Sequence, residues 1–238
     1  MTDAVEVIDG DAAILLTCEH ASERMPDGWA WPDADRRLVG THWAYDLGAR
    51  ELALELAARM GAGAVLSRFS RLIIDPNRPE DSPTLFRKEA EGLPVHLNTT
   101  HLDDREAERR IESLLRPYHR VVDERVGGSR APQLLSMHSF TPVYEGNRRT
   151  LEVGVLHDLD EALAQRLAAW LDQAGLRVAL NEPYSGRDGL MYSVDRHARA
   201  HRREAIELEV RQDLATDPAF RARFLDLVEG FFHHEDRR

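Results

Sequence analysis

Short apolar runs alternate along this chain with longer segments of helical spacing. Apolar runs of strand length lie at 12–18, 71–74, 133–137, 151–156 and 177–180, and apolar and charged residues alternate over 206–210. Helical spacing covers 47–60, 103–122, 160–174 and 217–232. Strands separated by helices are typical of an α/β fold, so we predict a mixed, mostly parallel sheet flanked by helices. No shift in composition marks a boundary, and we expect one domain over 1–238.

Local signals indicate where several helices begin and end. Asp103 followed by Glu106 resembles a capping box, in which the first side chain accepts a hydrogen bond from the backbone three residues on. Asp217, followed by proline, has the composition of another helix start, and Gly175 is suited to ending the helix before it. Pro117 should kink the helix that contains it.

Composition and charge exclude several classes of protein. The 238 residues carry 31 Lys and Arg against 42 Asp and Glu, a formal charge of −11. This balance argues against a general nucleic-acid or anionic-membrane binder, because no excess of cations would gather around phosphates. The one cysteine, Cys18, rules out an internal disulfide and fits a reducing compartment. The apolar run Ala12–Leu16 is too short for a bilayer and lacks the basic flank of a signal peptide, so we expect a cytoplasmic protein.

Polar residues suited to a site follow or interrupt three of the predicted strands. His20 comes after the first apolar run, His138 ends the run at 133–137, and Glu209 lies in the alternating segment. Sites in open α/β sheets collect at the carboxyl ends of strands. Two histidines and a carboxylate suit Zn²⁺, whose catalytic sites use three protein ligands and leave one position open. A histidine at a strand end can equally be a structural residue, so this pattern alone leaves both readings open.

Glu209 has a further argument from the period of its strand. Ile206, Leu208 and Val210 should face one layer of the core, which puts Glu207 and Glu209 on the opposite face. A carboxylate buried in a central strand is costly unless it lies near a partner or a cation. The alternative is an edge strand with both glutamates in solvent.

Asn77 and Arg78 lie between two prolines, Pro76 and Pro79, which restrict the backbone around them. An arginine fork held in this way suits bidentate binding of a substrate carboxylate. The alternative is a surface turn whose arginine is ion-paired. Arg187, which follows a glycine, is a second candidate for binding a carboxylate.

Six motifs in one order resemble a known family. They are CEHAS, THWAYDLGA, SRLIIDPNRP, MHSFTPVYEG, NEPYSGRDG and ELEVRQDL, and together they run from about residue 15 to 214. In this order they resemble the N-formylglutamate amidohydrolase family, which is similar to zinc carboxypeptidase-like hydrolases. The resemblance implies that fold, and the hydrolysis of an anionic N-acyl amino acid, in particular an N-formyl one such as N-formylglutamate, to the amino acid and formate.

The resemblance also implies a ligand set. It assigns His20 and His138 to the metal, with Asp46 or Glu23 as the third ligand. Asp46 could instead cap a helix beginning at Leu47, and Glu23 could be a solvated loop residue. Two histidines and a carboxylate favour Zn²⁺, with Mn²⁺, Co²⁺ and Fe²⁺ as alternatives.

The same resemblance gives roles to the remaining candidates. Glu209 belongs to the EVRQD motif and would act as the general base, while Asn77 and Arg78 would hold the substrate carboxylate. Two other functions stay open. One is a hydrolase that uses Cys18 as its nucleophile. The other is a carboxylate-binding protein on the same scaffold that lacks a working metal site.

Overall fold

The computed structural model describes residues 4–236, which form a seven-stranded sheet with helices on both faces. Its strands are β1 Val5–Ile8, β2 Ile14–Cys18, β3 Gly63–Ser67, β6 Gln133–Phe140, β9 Val153–Leu156, β10 Val178–Leu180 and β11 Glu204–Arg211. Two hairpins outside the sheet pair β4 Glu89–Ala90 with β5 Leu93–Pro94, and β7 Val143–Tyr144 with β8 Asn147–Arg148.

The sheet has the order β1-β3-β2-β6-β11-β9-β10. Strands β3, β2, β6 and β11 run parallel to one another. Strand β1 and the parallel pair β9 and β10 run antiparallel to them. The predicted mixed, mostly parallel sheet flanked by helices is therefore confirmed.

Eight α-helices accompany the sheet in the described part of the chain. They are α1 Ala49–Met60, α2 His96–Thr99, α3 Asp104–Arg110, α4 Arg116–Gly128, α5 Glu161–Gln173, α6 Tyr192–His201, α7 Gln212–Ala215 and α8 Pro218–Glu235. A π-helical turn, Ile111–Leu115, joins α3 to α4, and 3-10 turns lie at Asp33–Leu38 and Gly186–Asp188. None of the helices within 4–236 is long and apolar enough to cross a membrane.

Alternating side chains of the central strands divide the core into two layers. In β2, Ile14, Leu16 and Cys18 pack in the layer that contains α1, α5 and α8. Leu15 faces the other layer, with α4 and α6. Because the central strands are covered on both faces, most of β2 and the start of β6 are apolar on both sides. Polar residues such as His138 and Glu209 lie towards the carboxyl ends of β6 and β11.

Five of the six predicted strands are confirmed, since the runs at 12–18, 133–137, 151–156, 177–180 and 206–210 overlap β2, β6, β9, β10 and β11. The strand predicted at 71–74 is wrong. Leu72, Ile73 and Ile74 are buried, but Leu72 and Ile73 lie in a turn and Ile74 in irregular backbone, and the strand next to β2 is instead β3 at Gly63–Ser67. A short buried apolar run has no period that separates a strand from a packed turn.

Several predicted helix ends are confirmed by their hydrogen bonds. The Asp103 carboxylate accepts from the Glu106 amide at 2.7 Å, and the Asp217 carboxylate accepts from the Ala219 amide at 2.8 Å. The segment containing Pro117 stays helical, with the proline in the first turn of α4, directly after the π-helical turn. The chain is helical without a break over 104–128, and the change of hydrogen-bond pattern at the π-helical turn accommodates the missing N–H of the proline.

Candidate active site at the carboxyl edge of the sheet

A cavity of about 300 Å³ opens at the carboxyl ends of β2, β6 and β11. Its walls contain six of the eight predicted site residues, namely His20, Asp46, Asn77, Arg78, His138 and Glu209. The parallel arrangement of the three strands brings their ends to one edge, as expected for an α/β sheet. The remaining two predicted residues, Glu23 and Arg187, lie elsewhere.

Three side chains converge on one point of the cavity wall. The Oδ2 atom of Asp46 lies 3.3 Å from Nδ1 of His20 and 2.8 Å from Nδ1 of His138. All three residues are buried, and the two imidazole rings meet edge to face. Two ring nitrogens and a carboxylate oxygen directed at one another form the kind of donor set that holds a divalent metal ion.

The other nitrogen of each imidazole contacts a second carboxylate. Nε2 of His20 lies 2.8 Å from Oδ1 of Asp75, and Nε2 of His138 lies 3.0 Å from Oε2 of Glu19. Histidines that bind metals have such partners, because a carboxylate on the far nitrogen fixes the ring and leaves the near nitrogen free to coordinate. The Nε2 contacts of the two histidines therefore fit a metal site, as the convergence of their Nδ1 atoms does.

Glu19 is itself fixed by two hydroxyl groups. Ser136 Oγ donates to its Oε2 atom at 2.6 Å, and the Tyr118 hydroxyl donates to Oε1 at 3.2 Å. Burial alone would raise the pKa of Glu19, but the hydrogen bond and charge of His138 and the Ser136 hydroxyl lower it to about 2. Glu19 is consequently a fully buried anion beside His138.

Asp46 does not cap the helix that follows it, so the capping alternative is wrong. Helix α1 begins at Ala49, and Gly48 is its N-cap residue. Burial by itself would raise the pKa of Asp46, but the two adjacent histidines hold it below its usual range. The backbone amide of Asp46 donates to the His20 carbonyl at 2.9 Å, which joins the turn before α1 to the end of β2.

The structure corrects two of the predicted site residues. The Glu23 carboxylate is partly exposed and accepts a hydrogen bond from the Gly40 amide, so it is not part of the group formed by the two histidines. Arg187 is exposed in the 3-10 turn and forms an ion pair with Glu161 at 2.9 Å. Neither side chain lines the cavity, because loop contacts direct both away from it.

Arg71 was not predicted as a site residue, although it belongs to the SRLIIDPNRP motif. Its guanidinium spans two carboxylates, with Nη1 at 3.2 Å from Asp46 and Nη2 at 3.1 Å from Asp75. Burial lowers the pKa of Arg71, but these two acids outweigh it and raise the pKa. Arg71 therefore holds in place the candidate ligand Asp46 and also Asp75, which contacts the candidate ligand His20.

Both glutamates of β11 face the cavity, as their spacing predicts. Ile206, Leu208 and Val210 pack into the opposite core layer. The edge-strand alternative is wrong, because β11 lies between β6 and β9 and both glutamates are buried. Each has an Oε2 atom with no hydrogen-bond partner.

The environment of these two carboxyl groups favours their protonated form. Burial raises the pKa of Glu207 to about 7, and it raises the pKa of Glu209 well above its usual value. His138, whose positive form would favour ionised carboxylates, lies 3.5 Å from Glu207. Glu207, Glu209 and His138 also form a second group whose ligand atoms converge.

Asn77 and Arg78 are both in the cavity wall, but their contacts differ. Asn77 donates through Nδ2 to the Leu190 carbonyl at 2.9 Å and accepts from the Ser193 amide at 2.9 Å, so it fastens the start of α6. Arg78 donates to the Asn77 carbonyl at 2.7 Å. Among residues 4–236, no carboxylate forms a salt bridge with Arg78, which speaks against the ion-paired surface turn.

Cys18 lies in the core rather than in the cavity wall. It is completely buried in the layer formed with α1, α5 and α8. Burial raises the pKa of its thiol well above the usual value, and a neutral thiol is a poor nucleophile. The geometry thus disfavours the cysteine-dependent alternative.

The fold and the site together define an α/β protein with a candidate metal centre at the carboxyl edge of its sheet. Residues 12–216 match the family described as N-formylglutamate amidohydrolase, and the chain belongs to this family. The N-formylglutamate deformylase of Pseudomonas putida is 26% identical over 253 aligned positions, which cover 95% of this chain and 87% of that protein.

Two solved structures resemble the chain over nearly its whole length. The gene product Atu2144 from Agrobacterium tumefaciens is 32% identical with a TM-score of 0.89, and the match covers 97% of this chain and 94% of that one. The N-formylglutamate amidohydrolase from Ralstonia eutropha JMP134 is 20% identical with a TM-score of 0.72, covering 97% and 96%. At the lower identity, the similarity concerns the fold.

Proposed function

We propose that this protein is a metal-dependent amidohydrolase that cleaves an N-formyl amino acid, such as N-formylglutamate, to formate and the amino acid. The observation that carries the proposal is the convergence of two Nδ1 atoms, from His20 and His138, on one Asp46 oxygen. Membership of the family supports a hydrolase acting on an amide bond, and the relative from Pseudomonas putida is named a deformylase.

The donor set suits Zn²⁺, since imidazole nitrogens and a carboxylate are its usual ligands in catalytic sites. His20, His138 and Asp46 would hold the ion, with Asp75 and Glu19 fixing the two rings. A cation there would lower the pKa of water towards neutrality and polarise the amide carbonyl. Mn²⁺, Co²⁺ and Fe²⁺ accept similar ligands and are alternatives.

Glu209 is the proposed general base. Its Oε2 atom has no hydrogen-bond partner, and its side chain faces the cavity, so it has a free position for a proton. The carboxylate takes a proton from the attacking water and then donates it to the departing amine. Burial raises its pKa, which suits the second step, in which the protonated carboxyl group donates to the departing amine. The charge of a bound cation would favour the ionised form that first accepts the proton.

Arg78 is the proposed site for the substrate carboxylate. Its guanidinium lines the cavity. The segment that carries it is short and constrained, because Pro79 follows directly and accepts the backbone hydrogen bond of the next turn from Ser82. Asn77 acts on this step indirectly, because its side chain ties the segment to the backbone at the start of α6. Binding the carboxylate would orient the amide bond for attack.

The test measures the metal content of the purified protein and the release of formate from N-formylglutamate, before and after chelation. We expect about one metal ion per chain, loss of turnover on chelation, and recovery when Zn²⁺ is added. Turnover that survives complete removal of metal would contradict the proposal. Binding of the substrate without turnover in metal-loaded protein would support the carboxylate-binding alternative.

A matched control addresses the thiol. Cys18→Ala changes a buried core residue outside the cavity wall, so formate release should be retained by the folded variant. Loss of activity in a folded, metal-loaded C18A protein would restore the cysteine-dependent alternative.

A further inference from the structure

Three arginines line the cavity, and they differ in their partners. Arg71 spans the carboxylates of Asp46 and Asp75. Within residues 4–236, neither Arg78 nor Arg87 forms a salt bridge with any carboxylate. Two guanidinium groups therefore face one cavity without a salt-bridge partner. The charge of Asp75 acts on both of them, but its oxygens are bonded to Arg71 and His20.

Arg87 is held by contacts that leave its outer nitrogens free. Its Cζ atom lies 4.6 Å from the centroid of the Trp43 ring, an arrangement that orients a guanidinium on an aromatic face. Its Nε atom donates to the Glu89 carbonyl at 3.1 Å. The two Nη groups have no hydrogen-bond acceptor among the described residues, and these are the groups that bind a carboxylate in bidentate fashion.

The charges of the cavity indicate an anion with more than one carboxylate. Burial and the positive charge of Arg71 lower the pKa of Arg87, and Arg78 lowers it further. The charge of Asp75 opposes them without reversing the shift, so Arg87 lies near enough to both arginines to be repelled by them. A bound anion relieves this repulsion. A single carboxylate at Arg78 would leave Arg87 uncompensated.

We propose that Arg87 binds the side-chain carboxylate of a dicarboxylic N-acyl amino acid while Arg78 binds its α-carboxylate. This inference rests on the proposed function and adds a specificity-determining residue to it. Arg78 lies three positions after Asp75, the partner of His20, and the α-carboxylate must lie near the scissile amide. Arg87 comes from the separate segment beside the β4–β5 hairpin, which suits the more distant carboxylate.

The experiment compares N-formylglutamate with N-formylglutamine, which has the same length but no side-chain charge. The wild type should prefer the glutamate compound. Arg87→Gln should lower kcat/KM for N-formylglutamate by about 10- to 100-fold, the usual range for losing a charge-assisted hydrogen bond. The loss on N-formylglutamine should be at least ten times smaller, and Arg87→Lys should recover part of the preference.

Two further variants separate the local contact from general effects. Lys88→Gln removes the same charge from the adjacent residue, which is exposed like Arg87 but does not line the cavity, and should leave kcat/KM for both substrates within about twofold. Arg78→Gln should lower kcat/KM for both substrates alike, because both contain the α-carboxylate. A selectivity change confined to Arg87 is a result that a merely structural role would not give.

Binding without turnover tests the inference independently of the reaction. Metal-loaded wild type should bind glutarate more tightly than butyrate, and Arg87→Gln should abolish that difference in calorimetry. Equal losses on both substrates, or an unchanged ratio of glutarate to butyrate affinity, would overturn the inference while the deformylation proposal stood. Failure of the wild type to release formate from either compound would instead break the proposed function.

Discussion

Two pairs of buried histidines in this molecule have opposite surroundings. His20 and His138 meet at the ends of β2 and β6, with ring centroids 4.7 Å apart. His119 of α4 and His197 of α6 meet between their helices, with centroids 5.3 Å apart. All four are buried, so burial alone does not distinguish the pairs.

The number of carboxylates around each pair is what differs. Each ring nitrogen of the sheet pair lies within 3.3 Å of a carboxylate oxygen. In the helix pair, Nδ1 of His119 contacts Nε2 of His197 at 3.0 Å, and the nearest carboxylate of the pair is Asp123, 3.5 Å from His197. His119 has an Nε2 atom without a partner.

The pKa values follow this difference. Burial by itself lowers the pKa of His138, but Glu207, Asp46 and Glu19 outweigh it and raise the pKa well above the usual value. Burial lowers the pKa of His119 to about 3, and it also lowers that of His197. A buried histidine pair is thus suited to a cation only where carboxylates surround it, and otherwise remains neutral.

The largest expected effect comes from removing a histidine of the sheet pair. His138→Ala should lose nearly all bound metal and, with it, formate release, because one of three convergent ligands is gone. Elemental analysis and the formate assay measure the two losses together. His197→Gln, in the other pair, should keep its metal. An inactive H138A protein with full metal occupancy would show that His138 is not a ligand.

The next largest effect is expected from substituting Glu209. It distinguishes a metal ligand from a general base, because the two roles predict different metal contents. Glu209→Gln should retain the metal and lose about 10²- to 10⁴-fold in kcat, the usual contribution of a general base. Glu207→Gln makes the same change at the other buried carboxyl group on this face of the strand, and it should keep much more of the kcat because the proton transfer is assigned to Glu209. Loss of metal in E209Q would make Glu209 a ligand, and an active E209Q would exclude it as the base.

A smaller effect is expected from the outer carboxylates. Glu19→Gln should weaken metal affinity by about 10- to 100-fold, because Glu19 orients the His138 ring through Nε2. Competition with a chelator of known affinity measures this change. Asp123→Asn alters the carboxylate beside the helix pair and should leave metal affinity unaltered. Equal affinities in E19Q and wild type would remove Glu19 from this role.

The last prediction concerns the second histidine pair and stability in acid, with no effect on the proposed reaction. The pKa of His119 is lowered from 6.5 to about 3 in the folded protein. Between pH 6.5 and pH 3 the His119 ring is therefore protonated in the unfolded chain but neutral in the folded one. The free energy of unfolding should therefore fall as the pH drops from 6.5 towards 3, by at most about 1.4 kcal/mol per pH unit for this group.

His119→Gln removes this proton uptake and should flatten that dependence, as urea denaturation at a series of pH values would show. His101→Gln, at an exposed histidine, serves as the control and should change the slope much less. Identical slopes in H119Q and wild type would mean that burial does not keep His119 neutral.

Features that depend on neighbours in the chain could be predicted from the sequence. The apolar run of β2 before His20, the run of β6 before His138 and the alternation around Glu209 each reflect a local period. Which of Asp46 and Glu23 joins the two histidines depends on contacts between distant segments. Glu23 has the better spacing from His20 along the chain, but the turn before α1 brings Asp46 back to the end of β2.

The partners of the histidines were not predicted for the same reason. Glu19 precedes His20 directly but contacts His138, which is possible only because β2 and β6 are adjacent and parallel. Asp75 reaches His20 from irregular backbone directly after the buried run 71–74, which the apolar pattern had indicated as a strand. A clue was present in each case, since Glu19 belongs to CEHAS and Asp75 to SRLIIDPNRP, but a place in a motif does not state which ring an acid contacts.

The sequence by itself determined the class of fold, most of the strands and the identity of the chemical groups at their ends, because periodicity and strand-end polarity are local properties of the chain. Only the tertiary structure decided which of those groups meet. It joined Asp46 with His20 and His138, directed Glu23 and Arg187 away, and placed Arg87 in the cavity wall. Contacts between distant segments depend on strand order and on the paths of loops, and hydrophobic period does not encode either of these.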